Sequence, residues 1–224
     1  MPVVTTETFG DIALAVELFY ARPQEGRRLR VVPDAPLDAA GFADFCEAYP
    51  EAVAELEPDG SVTLISPLTL LSDKNEQVPF GELRDWHKRT GLGEVFSSTA
   101  GFRLPDGSVR SPDAAWVSQE RLAALSEADY DTQAQVVPDF VIEVMSKGDK
   151  RSAAQSKMRL DWLANGVRLG WLLWPERRRA YVYRAGVTEP EELRGYGQTL
   201  QADSVVPGFA FDLSLLLQTG LSRP

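Results

Sequence analysis

From Phe140 to Met145 the chain reads Phe-Val-Ile-Glu-Val-Met, apolar at both parities of a strand and broken by one acid. An apolar run of this length predicts a strand covered on both faces, with Pro138 opening it and Glu143 inside it. Leu169–Trp174 and Ala180–Tyr183 read as two further strands, separated by the turn Pro175-Glu176-Arg177-Arg178-Arg179. Between Phe140–Met145 and Leu169–Trp174 lies a helical pattern, Asp149 to Asn165, closed by Gly166. Upstream, Val53–Glu57 and Ser61–Ile65 flank Pro58-Asp59-Gly60, which predicts a β-hairpin. A helix opens near Asp38 as its cap, with Phe42, Phe45 and Cys46 on one side, and Pro50 stops it. Ser66 to Lys74 reads as a loop. A helix follows from about Glu76 to Thr90, with Phe80, Leu83, Trp86 and His87 along its apolar side and Gly91 ending it. Pro79 is expected in its first turn, where no helical partner is needed for the missing amide. Strands are predicted over Glu94–Phe96, Ser98–Leu104 and Val109–Val117, the last carrying Pro112 and Asp113. Gln119 to Asp129 reads as a surface helix, Tyr130 to Val137 as a loop, and the chain after Tyr183 as short strands and turns to about Leu217.

This order predicts an α/β (α+β) fold over residues 36–218, a mixed central β-sheet flanked by helices. Residues 1–35 read as an N-terminal extension with a short helix over Asp11–Tyr20, broken by Pro23 to Gly26. At 224 residues the chain suits one sizeable core.

Composition narrows the chemistry. No apolar run approaches the roughly 20 residues needed to cross a bilayer. No basic-then-apolar leader is read at the N-terminus, and a single cysteine, Cys46, suits a reducing cytoplasm. One histidine and one cysteine exclude the usual structural zinc sites, so a metal would rest on carboxylates and be magnesium, manganese or calcium. His87 is expected at the edge of a packed helix, and no nucleophile elbow accompanies it. The net charge is −10, yet it is unevenly spread. Residues 150–184 hold nine basic and two acidic side chains, +7, which leaves −17 for the remainder. Lys150, Arg151, Arg177, Arg178 and Arg179 in that segment form either a solvated basic face or a phosphate-facing patch.

A carboxylate inside an apolar strand needs a metal, a cation or a hydrogen-bond network, because burying it alone costs several kcal/mol. Asp139 shares the strand with Glu143 but lies four residues away, about 13 Å. That is too far to share an ion whose ligands lie at roughly 2.0–2.6 Å. Asp113, on an adjacent strand, is the candidate partner. Lys157 interrupts the inward face of the following helix, where it either snorkels outward or reaches a buried anion. Ser146 and Asp149 read as that helix's start. Glu55 and Glu57 share one face of their strand; Glu57 reads as solvent-facing, and Glu55 as either that or part of a site.

The runs Gly101-Phe102-Arg103-Leu104-Pro105-Asp106-Gly107, Ser111-Pro112-Asp113-Ala114, Pro138-Asp139-Phe140-Val141-Ile142-Glu143-Val144, Lys157-Met158 and Asn165-Gly166-Val167-Arg168-Leu169-Gly170-Trp171 together resemble the "putative restriction endonuclease" family of the PD-(D/E)xK superfamily. The resemblance implies a restriction-endonuclease-like core, Asp113 and Glu143 as metal ligands, and Glu55 as an additional acid. The superfamily's lysine stands two residues after the glutamate, a place held here by Met145, so Lys157 is expected to supply that charge from the helix. The implied reaction is metal-dependent hydrolysis of phosphodiester bonds in DNA. Asp113, Glu143 and the backbone carbonyl near Val144 would hold Mg²⁺ or Mn²⁺, Lys157 would orient water or offset charge, and the active form would be a homodimer. The competing expectation is a non-catalytic nucleic-acid-binding or regulatory protein on the same fold, with Glu143 and Lys157 as a structural pair. The side of the sheet on which Asp113 and Glu143 project separates the two.

Overall fold

The structure, a computed structural model, describes residues 3–9, 12–18, 28–202 and 205–219. It opens with strands β1 (Val3–Phe9), β2 (Ile12–Leu18) and β3 (Arg28–Pro33), then helix α1 (Ala39–Ala48) and the hairpin β4 (Ala54–Leu56) and β5 (Val62–Ile65). The long helix α2 (Leu70–Thr90) leads to β6 (Glu94–Ser97), β7 (Phe102–Arg103), β8 (Val109–Arg110) and β9 (Ala114–Val117). The short helix α3 (Gln119–Leu122) precedes β10 (Phe140–Val144), and helix α4 (Arg151–Ser156) runs on as a π-helix over Lys157–Leu163. Strands β11 (Leu169–Trp174), β12 (Arg179–Arg184), β13 (Glu191–Arg194), β14 (Thr199–Gln201) and β15 (Ala210–Asp212) complete the fold.

The strands form a seven-stranded sheet in the order β1-β2-β3-β5-β4-β8-β7, a six-stranded sheet in the order β13-β12-β11-β10-β9-β6, and the pair β14-β15. In the six-stranded sheet β10 and β11 are parallel and every other pairing is antiparallel. The doubly apolar run now has its reason. Phe140, Ile142 and Val144 pack with Leu83 and Trp86 of α2 and with Phe209 and Phe211 on one face. Val141 and Met145 pack with Met158 and Trp162 of the π-helix on the other. Glu143 has the parity of Val141 and Met145, so it belongs to the face under the π-helix. A third, smaller core joins Phe42 and Phe45 of α1 to Leu56, Val62 and Val109 of the seven-stranded sheet. Asp38 caps α1 as expected, accepting the Gly41 amide at 2.9 Å.

Several elements differ from the sequence reading. The described part of the Asp11–Tyr20 segment is the strand β2, paired on both sides, and not a helix; Asp11, Phe19 and Tyr20 lie outside the described residues. Its Ile-Ala-Leu-Ala-Val-Glu-Leu run has no strict period, so pairing with β1 and β3 decides it. Helix α2 begins at Leu70, inside the expected loop, because Thr69 caps it by accepting the Ser72 amide at 3.2 Å. Pro79 therefore sits in the helix interior and not in its first turn. Its cost, about 3 kcal/mol, is offset by packing, since Pro79 itself is buried together with Leu83 and Trp86.

The expected strand Val109–Val117 is two strands in two different sheets. Pro112 has no amide for a ladder, and the Ser111 amide is taken by Glu55 Oε1 at 3.2 Å, so pairing stops there and the chain crosses from one sheet to the other. The expected helix Gln119–Asp129 ends at Leu122, and a separate 3₁₀ turn, Glu127–Asp131, starts at Ser126, whose amide and hydroxyl both donate to Asp129. Along the π-helix Met158 and Trp162 turn inward, while Leu160 is exposed.

Asp139, set aside above as too distant from Glu143, has a structural task. Its buried carboxylate accepts the Ser118 amide at 2.8 Å and pairs with Arg121 at 3.2 Å and Arg168 at 3.4 Å. It ties the start of β10 to α3 and to the residue before β11. Asp139→Ala strands these donors and is expected to cost about 1–3 kcal/mol, read as a lower urea midpoint with an unchanged slope; an unshifted midpoint would show that the node contributes nothing to stability.

Candidate active site

The antiparallel register of β9 and β10 pairs Ile142 with Ala114, and continuing it by one residue sets Asp113 opposite Glu143. Directly opposed residues of an antiparallel pair project to the same face. Asp113 lies just before β9 and not within a strand as the sequence reading had it, but the face is the one the site requires. Its Oδ2 accepts the Val144 amide at 2.5 Å, which holds the carboxylate across the end of β10.

Glu143 is held from the helix side. Lys157 Nζ lies 2.8 Å from its Oε1, and Trp162 Nε1 donates to the same oxygen at 2.7 Å. Both donors converge on Oε1, so Oε2 has no hydrogen-bond donor among the described residues; the same holds for Oδ1 of Asp113. Met145 is buried two residues on, where the superfamily lysine would stand, and the ammonium arrives from the helix instead. Lys157 Nζ also lies 3.5 Å from Glu55 Oε1. Glu55, on β4, is fully buried. The seven-stranded sheet thus contributes an acid to a centre built mainly on the six-stranded one. Glu57, expected in solvent, shares that face and is engaged: it accepts from Thr63 at 2.6 Å and from Arg110 at 2.6 Å.

Three further participants escaped the sequence reading. Arg110 on β8 is buried, with Asp161 at 3.1 Å and Glu55 at 3.8 Å in addition to Glu57. Asp161, one helical turn after Lys157, has its pKa raised, chiefly by burial. Glu76 of α2 is buried, and its pKa is pushed up to about 7 by burial first and then by Glu143 and Asp73. Asp113 is likewise raised well above the ordinary carboxylate range, by burial and then by Glu143 and Glu76. Six acids, Glu55, Glu57, Glu76, Asp113, Glu143 and Asp161, thus surround two cations, Arg110 and Lys157. A signal for Glu76 was present, since it precedes Phe80, Leu83 and Trp86 by 4, 7 and 10 residues and so lies on their stripe. None was present for Arg110, whose partners come from strand pairings far apart in sequence.

The basic residues divide. Arg179 is tied to Glu192 at 2.6 Å, while Lys150, Arg151, Arg177 and Arg178 are exposed and make no ion pair among the described residues. Because β10 and β11 are parallel, the turn over 146–150 and the turn over 175–178 leave from the same end of the sheet, the end at which Asp113 faces Glu143. Arg177 stacks over Trp174 with its guanidinium 5.9 Å from the ring centre.

This is a restriction-endonuclease-like fold. It matches the crystal structure of a "putative nuclease belonging to DUF820" from Anabaena variabilis with a TM-score of 0.65 at 18% identity, over 82% of this chain and 99% of that one. Residues 40–215 match the Uma2 family, "putative restriction endonuclease", and the chain belongs to that family. No curated protein matches it. No helix among the described residues is long and apolar enough to cross a membrane.

The raised pKa of Glu76 has a sign. The folded carboxyl keeps its proton up to about pH 7, whereas the unfolded one releases it near its ordinary value, so stability falls as pH rises through that window and the loss is complete above it. Glu76→Gln removes the loss. It is expected to stabilise the protein by about 1–2 kcal/mol at pH 8 and by little at pH 5, measured by urea unfolding at both pH values; an equal gain at both would show that carboxylate repulsion is not its source.

Proposed function

We propose that this protein is a metal-dependent endonuclease that hydrolyses phosphodiester bonds in DNA. The observation that carries the reading is the pairing of Asp113 and Glu143 on one face, each with a carboxylate oxygen that lacks a hydrogen-bond donor among the described residues, beside a lysine fixed on the opposite oxygen of Glu143.

The donors fit a hard divalent cation. They are oxygens only. Burial first, and repulsion from neighbouring carboxylates second, raises the pKa of Asp113 and Glu76, and a cation would offset both. No three His, Cys, Asp or Glu side chains converge as a ligand set among the described residues. A Mg²⁺ or Mn²⁺ ion, which keeps several waters, would need no more than the one or two carboxylates proposed. Asp113, Glu143 and the Val144 carbonyl would hold the ion, which supplies a Lewis acid and a water of lowered pKa. The chain's own residues do the rest. Lys157 and Trp162 lock the Glu143 carboxylate so that only Oε2 is left to bind. The Val144 amide does the same for Asp113. The Lys157 ammonium, fixed at 2.8 Å from Glu143, sets a positive charge where the attacked phosphate gains negative charge. Lys150, Arg151, Arg177 and Arg178 would track the backbone along the sheet end, which lets a chain of net charge −10 receive a polyanion. Cutting both strands of a duplex takes two such centres, so a two-fold homodimer is the assembly that goes with this reading.

The Lys157–Glu143 pair also favours a second reading, a non-catalytic DNA-binding protein in which the lysine permanently neutralises the acid. Supercoiled plasmid separates the two. With Mg²⁺ or Mn²⁺ the protein is expected to nick it, and Glu143→Ala to lose about 100-fold or more in rate; cleavage unchanged in that variant would remove the proposed centre, and metal-independent binding without nicking would establish the second reading. Charge reversal at Arg177 and Arg178 is expected to weaken DNA binding and to reduce the slope of log affinity against log salt by roughly 0.9 for each phosphate left unneutralised; an unchanged slope would show those arginines to be merely solvated.

A further inference from the structure

Arg110 is the one buried cation of the centre that touches neither Asp113 nor Glu143 among the described residues. Its guanidinium reaches Glu57 at 2.6 Å, Asp161 at 3.1 Å and Glu55 at 3.8 Å, and it donates to the Leu56 carbonyl at 3.3 Å. It therefore joins β8 and β4 of one sheet to the π-helix that lies on the other. Two of its three acids also bear on Lys157. Glu55 lies 3.5 Å from the ammonium, and Asp161 follows Lys157 by one turn on the same helix face. Four carboxylates, Glu55, Glu57, Asp161 and Glu143, thus compete for two cations. We infer that Arg110 is a positioning residue. By offsetting Glu55, Glu57 and Asp161 it keeps the Lys157 ammonium on Glu143, and so decides where the lysine's charge rests.

The physical basis is competition at short range. A lysine is a compact point charge on a flexible stem and settles where the local negative field is strongest. With Arg110 present, that field at Glu55 and Asp161 is offset, and the ammonium closes on Glu143 at 2.8 Å against 3.5 Å for Glu55. Without Arg110, three unneutralised acids outweigh the single charge of Glu143, and the lysine is drawn back toward them.

The inference rests on the nuclease reading for its catalytic consequence, but not for its structural one. In a crystal structure of Arg110→Gln, Lys157 Nζ is expected beyond hydrogen-bonding distance of Glu143 Oε1. Adding Asp161→Asn should bring it back toward Glu143, because the second change removes the one competing charge that shares the helix with Lys157. In plasmid nicking, Arg110→Gln is expected to lose about tenfold or more in kcat with little change in KM, and the double variant to recover at least about threefold of that loss. A merely structural arginine gives the opposite pattern, since deleting a second partner then adds to the damage. Arg110→Lys keeps the charge and is expected to hold Lys157 in place and the rate within about threefold; should Arg110→Gln not fold, this variant carries the test. Lys157 unmoved in Arg110→Gln, a double variant no better than the single, or Lys157 displaced in folded Arg110→Lys overturns the inference. A wild type that fails to nick while Lys157 moves as expected sinks the nuclease reading alone.

Discussion

The interaction on which the rest depends is the repulsion among carboxylates crowded at one end of the six-stranded sheet. Six acids and two buried cations are brought together there, and no arrangement of the two can satisfy all six. The fold contains this repulsion in steps. Glu143 is given two donors on one oxygen, Asp113 one backbone amide, and Glu55, Glu57 and Asp161 share a guanidinium. Asp113 and Glu76 hold their protons to higher pH, first because they are buried and then because of the neighbouring carboxylates. A carboxyl whose proton is held in this way lowers stability as pH rises through its folded range.

The core of this arrangement was legible from the chain. An acid inside Phe140–Met145 has to be partnered, a second carboxylate has to come from another strand, and a lysine on an apolar helical stripe has to go somewhere; each follows from the cost of burying charge. Register then made the pairing of Asp113 with Glu143 specific. What was not legible came from two sources. One is tertiary: Arg110 and Glu57 meet because β4 pairs with β8, and nothing within either strand announces that pairing. The other is a change of helical period. A regular helix of 3.6 residues per turn to Asn165 gives Trp162 no place beside Lys157, whereas the chain widens to π-helix at Lys157 and Trp162 becomes a direct partner of Glu143. At the N-terminus an irregular apolar run suggests a helix, but its described residues form a paired strand.

The π-helix also brings the Lys157 ammonium to Glu143, although the strand carries Met145 where the superfamily has its lysine. A lysine at position 145 would point to the same face as Glu143, on the same strand, and reach the site directly. Met145 instead fills the core beneath the π-helix with Met158 and Trp162. Widening the helix turns Met158 and Trp162 toward that core while Lys157 and Asp161 stay at its margin, the lysine 11% exposed and the aspartate facing Arg110. One backbone irregularity therefore does two things. It seats an indole that fixes Glu143, and it brings an ammonium to the same oxygen. A regular α-helix through this stretch would separate the two, because residues 157 and 162 would then lie about 140° apart around the axis.

That coupling bears on why the centre sits where two sheets meet. Pro112 stops the ladder, Glu55 takes the amide that the ladder would have used, and the chain crosses between sheets at the residue before Asp113. The same break frees Asp113 from strand pairing and delivers Glu55 to Lys157. An uninterrupted strand from Val109 to Val117 would be the more stable ladder, but it would hold Arg110 and Asp113 in one sheet and leave Glu55 with no amide to accept. The local loss of pairing is what allows acids from both sheets to converge on one lysine.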